Sequence, residues 1–368
     1  MNRAFIHTLF ALAITGGLAA GVVKAHAQTP AAGDAPKTAE QVFKNVQVLK
    51  GTPVDQWKPT MQFIANSLGV ECSFCHVQGA FDKDDKKPKL TARKMIEMVK
   101  AINQTHFNGD REVTCYSCHH GSEHPAGIPI IAEEEPARNE FPLEEPQLPS
   151  ADQVIDKFIQ AMGGAEAIQK ITSRVQKGTI SVGQSTYQAE VISKAPNKRV
   201  STVSTPNGDN ITAYDGHAGW LGTAGRPAVD MTAQENDAIS FDAAFYLPLE
   251  LKKMFNQLRV RPAAKIGKSE VYLVIGTNPG KPPVRMFFDK VSGYLLRMIR
   301  YEETALGQNP TQVDYAEYRV DSGVKLPFQW TVARPRGRFT VQIAEIQQNV
   351  PVDDSKFAKP VEQKPPAK

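Results

Sequence analysis

Two five-residue runs, Cys72-Ser-Phe-Cys75-His76 and Cys115-Tyr-Ser-Cys118-His119, use all four cysteines of a 368-residue chain. Cysteines at i and i+3 face the same side of one helical turn. Each pair can therefore present two sulfurs to one flat partner, with the next histidine beneath it. A bare Cys-x-x-Cys pair would suit zinc or thiol redox chemistry equally well. The fifth position separates these readings. Histidine makes up 8 of 368 residues, so its chance arrival directly after both pairs is roughly a 1 in 2,000 event. A zinc ribbon has no use for histidine there twice. Cys72, Cys75, Cys115 and Cys118 are therefore expected to form thioethers to two covalently bound haem c groups, with His76 and His119 as the proximal iron ligands.

The start of the chain suggests where such chemistry happens. Arg3 precedes an apolar run from Ala4 to Val23, followed by the small-x-small sequence Ala25-His26-Ala27 and then Gln28. Residues 1–27 read as a secretory signal peptide, too short and Gly-rich for a good membrane span, with no lipid-accepting cysteine after the cleavage point. The expectation is an exported, periplasmic protein, free or peripheral at the membrane surface. In that oxidising compartment, attachment to haem would leave no cysteine over.

Length allows more than one core. Without residues 1–27 the chain has 41 basic against 39 acidic side chains, a balance that does not point to nucleic acid. The charge is uneven: Glu133, Glu134, Glu135, Glu140, Glu144 and Glu145 face only Arg138, about −5 in one short stretch. Six prolines from Pro125 to Pro149 accompany them, so residues 126–149 read as an extended linker with polyproline II character. The expected organisation is a haem domain at 28–125, this linker, a β-rich domain at 150–358, and a Pro/Lys-rich disordered tail at 359–368.

The haem half reads as helical. Thr38 and Gln41 form a capping box before Val42, Val46 and Leu49, with Gly51 as the stop. A second helix is expected from Trp57 to Leu68, closed by Gly69, with Trp57, Met61, Ile64, Ala65 and Leu68 on one face. A third is expected from after Thr91 to about Phe107, with Met95, Met98, Val99 and Ile102 on an inward stripe. A methionine on such a stripe is usually a core residue. Here each iron with histidine on one side needs a sixth ligand or an open position, and Met61 lies eleven residues before Cys72. For the second iron, Met95 and Met98 cover adjacent patches and spacing does not choose between them. His106, His120 and His124 are rival ligands; His120, next to the proximal His119, is expected at the haem edge or in solvent, and His106 is the better rival.

Asn45-Val-Gln-Val-Leu49, Met61-Gln-Phe-Ile64, Ser67-Leu-Gly-Val70, Thr91-Ala-Arg93, Met95-Ile-Glu-Met98, Ile102-Asn103 and Val113-Thr-Cys-Tyr-Ser-Cys-His119 with Gly121 resemble the photosynthetic reaction-centre cytochrome c subunit family over about residues 38–125. In that family each haem follows a helix that donates an axial methionine. The resemblance implies Met61 for the first haem and Met95, with Met98 as the alternative, for the second. It also implies a role in re-reducing a photo-oxidised chlorophyll pair. The sequence departs from the pattern in three ways: two haem motifs instead of four, no anchor cysteine, and no ligand histidine in the short loop from Phe107 to Val113.

The second half reads as antiparallel β. Ser150 and Gln153 cap a helix through Met162, ended by Gly163-Gly164. Alternating runs follow at Val271–Ile275, Val284–Phe288 and Tyr294–Tyr301, with Asp289-Lys-Val-Ser-Gly293 as a hairpin turn. Phe328, Trp330 and Val332, and Phe339, Val341 and Ile343, continue the pattern. One helix is expected between Phe241 and Leu258. The fold class is thus multidomain α plus β: an N-terminal all-α dihaem domain, then a curved antiparallel sheet or half-barrel with a few helices. Gly163-Gly164, Tyr214-Asp-Gly216 and Val324-Lys-Leu-Pro-Phe328 resemble periplasmic lipoprotein-carrier-like domains; this half reads first as a structural or docking domain, with a lipid or hydrophobic-ligand pocket as the alternative.

No catalytic constellation stands out in the β half, where His217 is the only histidine beyond the linker and cysteine is absent. Asp82-Lys-Asp-Asp85 lacks the spacing of a calcium loop and reads as a solvated turn. Lys83, Lys86, Lys87, Lys89, Arg93 and Lys94 read as a solvated basic face that can also steer an acidic partner or pair with haem propionates. With both irons closed by His and Met, the expected function is single-electron transfer rather than bond chemistry. The expected partners are redox proteins such as a membrane-bound reaction centre or a respiratory complex. The alternatives are a respiratory periplasmic carrier and a dihaem oxidoreductase such as a peroxidase.

Overall fold

Helices come first among the described residues. The computed structural model describes residues 37–125, 127, 147–263, 265–335 and 337–360. The expected signal peptide, nearly all of the expected linker and most of the expected tail lie outside the described residues. Before the linker stand α1 (Ala39–Val42), α2 (Val54–Leu68), α3 (Cys72–Cys75), α4 (Lys87–His106) and α5 (Cys115–His119).

Thr38 and Gln41 do cap α1, but the helix stops at Val42 instead of running on through Val46 and Leu49. Asn45 turns at φ +60° and its amide donates to Asp84 Oδ1 at 2.9 Å. The Glu40 carboxylate accepts from Gly51 N–H at 2.9 Å. These side-chain bonds fold the segment back on itself and leave no room for a continuous helix.

Helix α2 begins before Trp57 and ends at Gly69, whose φ of +67° is left-handed. A side chain at Gly69 would place its Cβ 2.1 Å from Gly121 O, so the end of α2 is pressed against the turn after the second cysteine motif. The helix is buried on two sides. The expected face of Trp57, Met61, Ile64 and Leu68 is half-buried, while Phe63, Thr60 and Ser67 on the other side are 6%, 0% and 1% exposed. Helix α4 starts at Lys87, earlier than after Thr91, because Pro88 is well tolerated in a first helical turn. Its buried line is Ile96, Val99 and Asn103; Met95 and Met98, expected inward, are 37% and 44% exposed. Asn103 replaces an apolar contact with a pair of bonds to the Val113 backbone, at 2.7 and 2.9 Å.

After α6 (Ala151–Ala161) and α7 (Ala165–Gln169) come β1 (Ser173–Val182), β2 (Ser185–Lys194), β3 (Lys198–Thr205), β4 (Gly208–Tyr214), β5 (Gly219–Thr223) and β6 (Val229–Asp230). The single helix expected between Phe241 and Leu258 is two, α8 (Ala233–Ala243) and α9 (Leu247–Met254), broken where Ala244 is extended and Pro248 opens the next turn. The chain continues through β7 (Gln257–Pro262), β8 (Val271–Thr277), β9 (Val284–Asp289), β10 (Leu295–Glu303), β11 (Gln308–Asp321), β12 (Val324–Arg334) and β13 (Gly337–Gln348). In the turn between β9 and β10 the Asp289 carboxylate accepts from Val291 N–H and Ser292 N–H.

All thirteen strands form one antiparallel sheet, in the order β6-β5-β4-β3-β2-β1-β13-β12-β11-β10-β9-β8-β7. Helix α8 touches β3, β4 and β5 and also β10. The nearest of the three, β3, is six positions from β10, about 29 Å in a flat sheet, so the sheet must curl round a helix of roughly 10 Å diameter. This is the curved antiparallel sheet that the alternating runs predicted. Under its β7–β10 end, α6 and α9 bury Ile155, Phe158 and Leu251 against Val274, Met286 and Phe288.

The tip between β10 and β11 reaches the helical part. Thr60 Oγ1 accepts from Ala305 N–H at 3.1 Å, Asn309 Nδ2 donates to Pro59 O at 3.1 Å, and Leu306 joins Leu49, Phe63, Ile96 and Cys115 in one apolar cluster. Arg111 pairs with Glu303 at 2.6 Å. The described residues from Lys37 onward consequently form one compact unit.

Two outcomes follow for stability. A Cβ at Gly307 would lie 2.3 Å from the Phe63 ring, so Gly307→Ala should cost about 1–3 kcal/mol through overpacking; an unchanged denaturant midpoint would refute this contact. Arg93, then Lys89 and Asn45, hold the Asp84 carboxyl well below the usual carboxylate range, with Arg93 bonding both its oxygens at 2.9 Å. A depressed carboxyl stabilises fully above its unfolded pKa and loses that contribution as pH falls through the folded value. Asp84→Asn should therefore lower the unfolding midpoint at neutral pH, with the gap to wild type closing in strong acid. An equal gap at both pH values would be inconsistent with this linkage.

Candidate haem-binding sites

Helix α3 is a single turn whose length is set by Cys72-Ser-Phe-Cys75, and His76 leaves it in extended conformation. Cys72 is exposed and Cys75 half-buried. Both border a cavity of about 690 Å³, within the usual range for small-molecule and cofactor pockets. Its largely apolar wall includes Trp57, Met61 and Ile64 from α2, His76, and Ile96 from α4. Met61, expected as an axial ligand, thus shares one cavity with Cys72, Cys75 and His76.

His76 Nδ1 lies 2.9 Å from Phe81 O. A carbonyl only accepts, so Nδ1 carries the hydrogen and Nε2 keeps its lone pair for a metal. His119 repeats the device: its Nδ1 is 3.0 Å from Ser122 O. In both motifs the ring is oriented by the backbone of the turn that follows. A chain carbonyl placed a few residues ahead is invisible to side-chain pattern reading, and this feature was missed in the sequence.

The second motif sits on α5, with a Thr114–Ser117 capping box at its start. Cys115 is buried in the cluster of Leu49, Phe63, Ile96 and Leu306, whereas Cys118 is exposed and His119 half-buried. Met95 and Met98 lie on the exposed side of α4. His106 ends α4 and is exposed, His120 is exposed at φ +48° with its ring edge-on to Tyr116, and His124 is exposed beside Glu123.

Burial pushes the Cys75 thiol up and the Cys115 thiol up to about 11. A redox thiol or a zinc ligand needs the thiolate, and a buried apolar setting disfavours it. A neutral thioether sulfur carries no such penalty. Among the described residues, no three His, Cys, Asp or Glu side chains converge as a metal-binding group. The residues therefore fit covalent haem better than a shared zinc site.

Of the basic cluster, Lys89 and Arg93 border the cavity, but both are committed to Asp84, at 3.0 and 2.9 Å. Lys86 donates to Ser73 O, which ties the first motif to the start of α4. The Asp82–Asp85 turn is thus an anchored corner and not merely a solvated one. Among the described residues no helix is long and apolar enough to cross a membrane.

Comparison with known proteins finds similarity to cytochrome c proteins. The photosynthetic reaction center cytochrome c subunit of Thermochromatium tepidum is 37% identical over 101 residues, covering 26% of this chain and 25% of that protein. The subunit of Rubrivivax gelatinosus is 34% identical over 119 residues, covering 31% and 32%. The chain thus spans about a quarter to a third of the length of these curated relatives. Among solved structures, a putative outer membrane lipoprotein-sorting protein domain from Vibrio parahaemolyticus aligns with a TM-score of 0.40 at 10% identity, covering 56% of this chain and 97% of that one. Residues 18–153 match the family model of the photosynthetic reaction centre cytochrome C subunit, and it is over this stretch that the chain is similar to that family.

Proposed function

We propose that this chain is an exported c-type cytochrome that carries two covalent haems and passes single electrons between redox proteins. The observation that carries the reading is the meeting of Met61, Cys72, Cys75 and His76 in one largely apolar cavity. When bound, the haem iron supplies the one-electron change between ferric and ferrous states. The chain's own residues do the rest. Cys72 and Cys75 fix the macrocycle, as Cys115 and Cys118 would for the second haem. The Phe81 carbonyl orients His76, and the Ser122 carbonyl orients His119, which leaves the Nε2 lone pair of each available to hold an iron. Met61 offers a thioether, a ligand that favours ferrous iron and raises the potential. Met95, or Met98, would do the same at the second site.

Leu49 and Ile96 support passage of electrons between the two sites. Both residues border the first cavity and also pack in the cluster that buries Cys115, so a thin apolar partition separates the motifs. The relatives' names suggest a reaction centre as acceptor; a respiratory complex is the other member of the same class. A residue-level observation favours a second reading, a dihaem oxidoreductase of peroxidase type. The exposure of Met95 and Met98 would suit a displaceable sixth position at the second iron.

Purified protein should give two haems per chain by pyridine haemochrome assay, and Cys72→Ser with Cys75→Ser should give one; zero haem in the wild type would end this proposal. Met61→Ala should shift one haem toward a high-spin spectrum and lower its potential. No spectral change would remove Met61 as ligand. Rapid cyanide binding to half of the wild-type haem would favour the oxidoreductase reading over the carrier.

A further inference from the structure

Four residues on neighbouring strands stand directly opposite one another: Gln348 of β13, Arg174 of β1, Ser193 of β2 and Arg199 of β3. Directly opposed residues share one face of a sheet. It is the face turned toward α8 and the turn after it, since the Arg174 guanidinium lies 5.0 Å from the Phe245 ring. On the same face Arg300 of β10 pairs with Asp242 of α8 at 3.0 Å.

Arg174 and Arg199 lack what Arg300 has. Among the described residues neither makes a hydrogen bond or an ion pair, and Arg174 Nε is buried without a partner. Gln348 Oε1, opposite Arg174, is buried without a partner too. Two carboxylates act on these arginines, Asp321 on Arg174 and Asp242 on Arg199, but both are engaged elsewhere. Asp321 accepts from Gln348 Nε2 at 2.6 Å and Asp242 is held by Arg300. Desolvation leads in lowering both guanidinium pKa values, Arg174 to about 10, and a guanidinium keeps its proton in proteins. An enclosed charge without a partner is costly, and an anion between the two would remove that cost.

We propose that Arg174 and Arg199, with the Ser193 hydroxyl between them, bind an oxyanion group, carboxylate or phosphate, on the concave face of the sheet. The two arginines are two strands apart, about 10 Å between backbones, a gap that two long side chains can close on one group from both sides. A planar guanidinium fork matches the oxygen pairs of carboxylate and phosphate. The aromatic Phe245 beside Arg174 gives an apolar neighbour to whatever the oxyanion is attached to. The site lies in the β half and stands independently of the haem reading.

Calorimetric titration of the intact chain with inorganic phosphate, with octanoate, and with dihexanoylphosphatidylglycerol below its micelle concentration tests this. At least one probe should bind saturably, and Arg199→Gln should weaken it by about tenfold or more. Phosphate alone binding identifies a free ion as the source; octanoate or the short lipid binding alone identifies the head of an amphiphile. Arg199→Lys, which keeps the charge without the fork, should recover only part of the affinity. The wild type should also melt higher in the bound probe than in chloride of equal ionic strength, a readout that needs no variant. No saturable binding by any probe, or binding undiminished in both Arg174→Gln and Arg199→Gln, overturns the proposal.

Discussion

Everything in the helical part depends on how α2 is held from behind. Phe63 packs where Gly307 leaves room for it, and Thr60 and Pro59 are bonded by the Ala305 amide and the Asn309 side chain. Because the β10–β11 tip fills that face, the opposite face of α2 is free to line a cavity with Met61 and Ile64. A helix of this length would be marginal alone; two-sided burial makes it a fixed wall. The cysteine motifs are then set against its end, where Gly69 and Gly121 meet with no space for a Cβ.

On the proposed reading a fixed wall matters, because ligands to an iron should not move when its charge changes. His76 and His119 are each oriented by a backbone carbonyl, and Asn103 locks the strand-like stretch before Cys115. Asp84 gathers Asn45, Lys89 and Arg93 at the rim of the first cavity. These are local bonds, each modest by itself, that together leave few soft degrees of freedom around the first site. The second site is more open, with Cys118 and both candidate methionines exposed.

The β half contributes more than support. Its sheet curls round α8, which sets the aromatic ring of Phe245 against the concave face. Polar side chains in such a setting are normally paired. Arg300 meets that rule through its ion pair with Asp242, although its Nε is itself without a partner, whereas Arg174 and Arg199 have no ion pair among the described residues.

Much of this could be read in the sequence because it is local. The cysteine pairs, the Gly69 stop, the Ser150 cap and the Asp289–Gly293 turn are each written within five residues. Periodicity found the cavity-facing stripe of α2 and the alternating strands. What failed was non-local: the early end of α1 is set by bonds to Asp84 and Gly51, and α2's second buried face is built from Thr60, Pro59 and Ser67, which no apolar pattern reveals. The inward turn expected of Met95 and Met98 failed because Ile96, Val99 and Asn103 took the packed line instead. The sequence by itself determined the placing of two sulfurs and an imidazole at fixed spacing, since that is a property of one helical turn. Only the tertiary structure decided which sulfur-bearing residue shares a cavity with them and which arginines are left unpaired, because both depend on strands brought together from distant parts of the chain.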